Sequence, residues 1–146
     1  KSDPSDMSRI VMTDGPEQIA QKIRKATTDP DALPGPEALD ADGEVPEEAR
    51  KARPECWNLL GIYAALDGRP LKAVVGEFAS AQFSRFKGAL TELAVATLGP
   101  VGSEMKRLLD DPAEIDRVLA DGGERARAIA TPILAEVYEA VGFLRP

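Results

Sequence analysis

Residues 54–78, PECWNLLGIYAALDGRPLKAVVGEF, decide the fold that the sequence predicts. In their first half, apolar residues recur at the three- and four-residue spacing of one helix face, namely Leu59, Ile62, Tyr63 and Leu66. Asp67-Gly68 is typical of a helix end, and at Leu71 an apolar series of the same spacing begins again. The stretch therefore predicts two short helices that pack as a hairpin across a tight turn.

The residues after this hairpin continue the helical pattern. A longer amphipathic run is interrupted by Gly99-Pro100, so we expect one kinked helix or two abutting ones, with Phe83, Phe86, Leu90, Leu93, Ala94, Val101, Met105 and Leu108 facing inward. A further helix is predicted to start with Asp111 as its N-cap and to stop at Asp121-Gly122-Gly123. The last helix should run to Gly142, with a possible kink at Thr131-Pro132, before an apolar tail of Phe143 and Leu144.

The residues before the hairpin predict one helix and two loops. Asp14 offers an N-cap and Glu17 the matching capping-box acid, which predicts a helix with Ile19 and Ile23 on its apolar face and with Lys22, Arg24 and Lys25 on the remaining surface. Residues 27–53 contain four prolines, many acids and almost no periodic apolar residues, as expected of a solvated loop. The sequence therefore predicts an all-α fold, a small bundle of about six helices.

Composition limits the classes of function. The length of 146 residues suits one ordinary domain, and the chain has no apolar run of membrane-spanning length and no leader peptide, so we expect a cytoplasmic protein. One cysteine and no histidine argue against a zinc or other metal site and against catalysis that needs a histidine base. A net charge of −7 disfavours indiscriminate binding to nucleic acid, which would need local groups of basic residues.

The chemistry-bearing residues are few. Lys1 and Ser2 open a polar loop that could contact phosphate oxygens. The basic residues Arg85, Lys87, Lys106 and Arg107 could follow an RNA backbone, although such residues more often belong to a solvated helix face. The aromatic residues Trp57 and Tyr63 could stack on unpaired bases. Tyr63 lies in the apolar stripe, which favours the core for it, whereas Trp57 lies off the stripe and is the more open case.

Several stretches together resemble one family. Residues 1–6, KSDPSD, and residues 19–29, IAQKIRKATTD, resemble the segment after the K-M-S-K-S signature loop of bacterial tryptophanyl-tRNA synthetases, with the same order and spacing. Asn58 to Tyr63, Phe86-Lys87, residues 113–122 and the ending Gly142-Phe143-Leu144 are similar to the C-terminal domain of that family. The resemblance covers essentially the whole chain.

The resemblance implies a division of the chain and a role for its first residues. Residues 1–14 would be the end of the signature loop and a linker from a catalytic domain, and residues 15–146 would be a helical anticodon-binding domain with a loop at about 27–53. Lys1 would match the second lysine of the signature, which stabilises the transition state on the ATP phosphates, and Ser2 its last serine. A chain that starts with Lys1 rather than methionine is expected to be an excised piece.

The resemblance also implies substrates and partners. The full-length enzyme, a class I aminoacyl-tRNA synthetase, would activate tryptophan with ATP and Mg²⁺ and charge tRNA(Trp), as a homodimer. The present residues alone would neither catalyse this reaction nor hold ATP, because the nucleotide and tryptophan pockets lie in the other domain. Two alternatives remain open, a helical protein-interaction module and the equivalent domain of a tyrosine-specific relative.

Overall fold

The computed structural model describes residues 5–142, and within this range it contains helices and no strand. The α-helices of this part of the chain are α1 (Pro16–Lys25), α2 (Glu47–Ala52), α3 (Pro54–Asp67), α4 (Leu71–Glu77), α5 (Phe83–Leu109) and α6 (Pro112–Val141). Two 3₁₀ turns lie at Asp6–Ser8 and Pro36–Ala38. The prediction of an all-α fold with about six helices is confirmed.

The chain divides into two compact units, of which the first ends at Glu104 and the second begins at Met105. The hydrophobic core lies in the first unit. At its centre the rings of Tyr63, Phe78 and Phe86 contact one another with centroid separations of 5.0 to 5.7 Å, two of the three pairs edge to face. Such pairs add to the burial of the rings themselves, so this cluster joins α3 and α5 to the end of α4.

The predicted hairpin is present as α3 and α4, which pack against each other. Gly68 ends α3 with a φ of 70°, a left-handed conformation that glycine adopts without steric cost. The apolar face of α3 is rotated from the predicted one, however. Leu60 is 0% exposed, whereas Ile62, predicted to face the core, is 40% exposed. The spacing rule identified the helix but assigned one of its inward residues wrongly.

The N-cap of helix α1 lies one residue later than predicted. Gly15 occupies the N-cap position, and its N–H donates to the Gln18 side chain at 2.9 Å, so neither Asp14 nor Glu17 takes the predicted capping role. The side chain of Asp14 is instead turned inward, where it accepts a hydrogen bond from Lys22.

The segment from 27 to 53, predicted as a solvated loop, differs in two respects. Glu47–Ala52 is helical, as α2, and Leu33 and Val45 are buried in the core. Leu33 is also fixed through its backbone, since its N–H donates to Ala81 and its carbonyl accepts from Ser80. Much of the segment therefore packs on the first unit.

Arg53 fastens the start of this segment to the beginning of α3. Its guanidinium donates to both carboxylate oxygens of Asp29, at 2.6 and 3.0 Å, and to the carbonyls of Asp31 and Ala32. These hydrogen bonds from Arg53 lower the pKa of Asp29 below its usual value of 3.8, against a smaller opposing effect of burial. The charged pair is only partly exposed and therefore contributes to stability while Asp29 is ionised.

Asp29→Asn is expected to lower the free energy of unfolding by about 1–3 kcal/mol at pH 6, because the charge-assisted bonds to Arg53 are lost. The folded-state pKa of Asp29 is lowered, so this stabilisation is present above the unfolded pKa and is lost as the pH falls through the folded one. Urea denaturation at pH 6 and near pH 2.5 should thus show a difference between wild type and variant that shrinks on acidification. Asp42→Asn, an exposed change in the same segment, is the control. A difference independent of pH would contradict the assignment.

Cys56 is fully buried on α3, and burial raises the pKa of its thiol to about 11. Since the thiolate is the reactive form, alkylation by iodoacetamide at pH 8 is expected to be at least about 100-fold slower in the folded protein than in urea. Mass spectrometry of timed samples measures this directly, because the sequence has one cysteine. Similar rates in the folded and unfolded protein would show that the start of α3 opens readily.

Helix α5 is continuous through Pro100. The sequence predicted either one kinked helix or two abutting helices here, and the prediction of one long helix is confirmed. Gly99 precedes this proline, and glycine relieves the clash that a proline imposes on the residue before it. Two of the residues predicted to face inward, Val101 and Met105, are exposed, and that part of the prediction is wrong.

In the second unit, α6 is a single helix where the sequence predicted two. It runs through Asp121-Gly122-Gly123 without ending, so the predicted stop is wrong. It begins as predicted, with the side chain of Asp111 accepting from the Glu114 N–H. No side chain of α6 is buried, and seven of its large apolar residues are 48 to 68% exposed, namely Val118, Leu119, Ile129, Ile133, Leu134, Val137 and Val141.

Candidate functional site

The predicted catalytic and ATP-contacting residues, Lys1 and Ser2, lie outside the described residues. The segment that follows them is described from Ser5 onward and is held against α1 by one lysine. The ammonium of Lys22 is 2.7 Å from Asp14 Oδ2 and 3.0 Å from Asp6 Oδ2. Lys22 and Asp14 are almost completely buried, while Asp6 is 66% exposed. Lys22 was predicted on the surface of α1, and that prediction is wrong.

The electrostatics of this group are mutually supportive. The pKa of Lys22 is raised, first by its hydrogen bond to Asp14, against the opposing effect of burial, and further by Asp6. Asp14 Oδ2 also accepts the Val11 N–H at 2.9 Å, which closes the turn that leads into α1. A buried ammonium is tolerated when it is paired and hydrogen-bonded in this way. We call Asp6, Asp14 and Lys22 the lysine clamp.

A second contact holds the same segment against α5. Gly102 is buried, and a Cβ atom placed on it would lie 2.6 Å from the carbonyl oxygen of Met12, closer than any real Cβ contact. The helix backbone can approach the segment this closely because residue 102 has no side chain. Residues 5–14 are therefore fixed by charge on one side and by backbone packing on the other.

The first unit has three depressions that share Asn58 in their lining, and residues of this segment line two of them. The first, with a volume of about 380 Å³, lies between the segment and α1, α3 and α5, and apolar side chains such as Ile10, Ile23 and Leu98 line most of it. The other two, of about 550 and 390 Å³, adjoin it, and Asn58 lines all three. The apolar lining of the first depression suits apolar groups better than phosphates.

Of the four basic residues predicted to contact RNA, Lys87 makes hydrogen bonds within the protein. Its ammonium donates to the carbonyls of Ala26, at 2.7 Å, and Arg24, at 3.3 Å, which are left without helical partners where α1 ends. Partial burial lowers the pKa of Lys87. Lys87 thus joins the start of α5 to the end of α1, and Arg85, two residues earlier, is exposed.

The other two predicted RNA contacts lie in the second unit. Arg107 makes a two-point ion pair with Glu114, with N···O distances of 2.7 and 3.1 Å, and this pair lowers the pKa of the Glu114 carboxyl. Lys106 is exposed on the neighbouring position of α5. Arg85 and Lys106 therefore present their charges to solvent, whereas those of Lys87 and Arg107 are directed at groups of the protein.

The aromatic residues do not form a stacking surface. The Trp57 indole is buried, and its N–H donates to the Ala49 carbonyl at 3.0 Å, so the residue ties α3 to α2. Tyr63 lies in the central aromatic cluster, as the apolar stripe predicted. Both rings are therefore part of the core. For Trp57, which the sequence left open between the core and base stacking, the structure shows the core.

Between Ser5 and Gly142, no group of three or more His, Cys, Asp or Glu side chains is arranged to hold a metal ion. None of the helices in the part of the chain that the structure describes is both long and apolar enough to span a membrane.

The first unit is thus a helical domain against which residues 5–14 are held by the lysine clamp and by the contact at Gly102. No family model matches the chain. Curated relatives match it almost from end to end, and they are tryptophan–tRNA ligases: 54% identical in Agrobacterium fabrum and 52% in Rhizobium meliloti, each over 99% of this chain, and 40% in Synechocystis sp. over 100%. Over at least 99% of its residues the chain is therefore similar to part of the tryptophan–tRNA ligases.

The chain spans 38% of the length of the first two relatives and 40% of the third. Their shared name confirms the resemblance stated from the sequence. The two alternatives, a protein-interaction module and a tyrosine-specific relative, are not favoured, because the relatives compared here are named for tryptophan. The lysine clamp was not foreseen, and the signal that could have suggested it is the pair of acids, Asp6 and Asp14, within one short polar segment ahead of a basic helix.

Proposed function

We propose that this chain is the C-terminal, tRNA-recognising portion of a tryptophan–tRNA ligase. In its full-length form the enzyme would activate tryptophan with MgATP and esterify tRNA(Trp) with it. The observation that carries the proposal is the 54% identity over 99% of the chain to a protein of that name. Identity at this level over a whole domain normally preserves the fold and the partner that the domain contacts.

Lys1 and Ser2 are assigned to the end of the signature loop. Lys1 would place its ammonium on the phosphate oxygens of ATP as charge develops during tryptophan activation, and Ser2 would add a hydroxyl donor. The 146 residues alone are expected to bind tRNA without charging it, because catalysis also needs the bound nucleotide and tryptophan held in place.

Arg85 and Lys106 are the stronger candidates for contacts with tRNA phosphates. Both are exposed basic residues of α5, one in each unit, and supply charge to a chain that is acidic overall. Lys87 and Arg107 remain candidates, but contact with RNA would compete with their bonds to α1 and Glu114. A homodimer and a cytoplasmic location complete the proposal.

Binding of tRNA tests this proposal for the isolated chain. Gel-shift titrations at low salt should show salt-sensitive binding of tRNA with the tryptophan anticodon, weaker for a version with an altered anticodon. Arg85→Gln and Lys106→Gln should each weaken binding and reduce the salt dependence by about one unit of slope. Lys72→Gln, another exposed basic residue of the first unit, is the control. Equal binding of both tRNAs, with no effect of either variant, would count against the proposal.

A further inference from the structure

The lysine clamp joins the two ends of the segment that follows the signature residues. Asp6 lies near the beginning of this segment and Asp14 at its end, yet both carboxylates contact the same ammonium on α1. A single side chain therefore holds both ends of a stretch of nine consecutive residues. The contact between Gly102 and the Met12 carbonyl holds the later part of the segment from the side of α5.

The clamp lies close to Lys1 along the chain. Asp6 is five residues after Lys1 in the sequence, and its carboxylate is held by Lys22. Without this bond, the first carboxylate held by Lys22 would be that of Asp14, 13 residues after Lys1.

Stability alone gives a weak reason for this arrangement. Burying an ammonium and a carboxylate costs solvation free energy that their attraction barely offsets, and apolar residues of similar volume often stabilise a core more. The third partner, Asp6, is exposed, so its bond adds little to the folded state. What the two carboxylates do provide is a defined position for the segment between them.

We propose that Lys22 is a positioning residue for the signature loop in the full-length ligase, acting through Asp6 and Asp14 on the placement of Lys1 against ATP. This role rests on the proposed function. Misplacing a charge that acts on the transition state by about 1 Å can cost up to 100-fold in rate. Loss of the clamp should therefore lower kcat for tryptophan activation more than it changes the KM for tryptophan, because Lys1 is proposed to act on the phosphates of ATP.

The experiment measures tryptophan-dependent ATP–pyrophosphate exchange by the full-length protein that contains these residues. Lys22→Met, which keeps the length of the side chain, is expected to lower kcat about tenfold or more with the KM for tryptophan unchanged. Asp6→Asn, a change at an exposed residue that leaves folding intact, is expected to lower kcat about fivefold at an unchanged melting temperature, and Asp6→Glu should recover most of the rate. Glu17→Gln, an exposed change on the same helix, serves as the control.

The outcomes separate the two claims. If wild type is active and Asp6→Asn leaves kcat unchanged, the clamp is only structural and the inference is overturned, while the proposed function stands. The same holds if Lys22→Met lowers the melting temperature alone. If Lys22→Met does not fold, Asp6→Asn carries the test. A full-length wild type without tryptophan-dependent exchange overturns the proposed function, and the inference with it.

Discussion

Leu60→Ala is expected to lower the free energy of unfolding by about 2–5 kcal/mol, the range for truncating a large buried aliphatic residue. Leu60 is 0% exposed in the core of the first unit, next to the aromatic cluster. Its removal leaves a cavity that the surrounding core residues fill only in part. Urea denaturation of the 146-residue chain, followed by far-ultraviolet circular dichroism, measures the change.

Ile62→Ala is the matched control, because it removes a similar volume two residues away on the same helix. Since Ile62 is 40% exposed, its truncation should cost less than about 1 kcal/mol. The apolar spacing of α3, taken alone, predicts the reverse order, with Ile62 in the core stripe and Leu60 outside it. A larger loss for Ile62→Ala than for Leu60→Ala would show that the structure has the wrong face of α3 inward.

Gly102→Ala is expected to destabilise the first unit by about 1–3 kcal/mol, as overpacking does at a well-packed site. The added Cβ would overlap the Met12 carbonyl oxygen, so either α5 or the segment before α1 must move. The displaced partner is backbone rather than a flexible side chain, which makes relief costly. Helix propensity works in the opposite direction by up to about 1 kcal/mol, so the net loss understates the clash.

Gly88→Ala, on the same helix, has open space around the new methyl group and should be neutral or stabilising by up to about 1 kcal/mol. The comparison isolates the close approach from the helix-propensity effect. Urea midpoints of the two variants and wild type are sufficient. Equal stabilisation by both alanines would mean that residues 5–14 do not lie against α5 as the structure has them.

Local signals predicted the parts of the fold that depend on neighbouring residues. The end of α3 at Gly68 and the start of α6 at Asp111 were correct, because a left-handed glycine and a capping carboxylate act within one helical turn. The two glycines at 122 and 123 were misleading. Glycine costs a helix about 1 kcal/mol, which the rest of a long helix can absorb, so α6 continues through them.

Tertiary contacts decided what the sequence left open. Residues 27–53 read as a solvated loop because their buried residues, Leu33 and Val45, are isolated in the sequence rather than periodic. Lys22 was predicted on the surface because its partners, Asp14 and Asp6, lie 8 and 16 residues away in the sequence, beyond the reach of a local pattern. The roles of Lys1 and Ser2 were predicted by resemblance, and the four basic residues were chosen by their charge alone. The overall composition of this acidic chain does not indicate a tRNA partner.

Charging of tRNA is the most direct test of the central claim. The full-length protein that contains these residues should transfer labelled tryptophan, and not tyrosine, to tRNA(Trp) in the presence of ATP and Mg²⁺, and the 146 residues alone should not. Failure of the full-length protein to charge this tRNA with tryptophan would contradict the account.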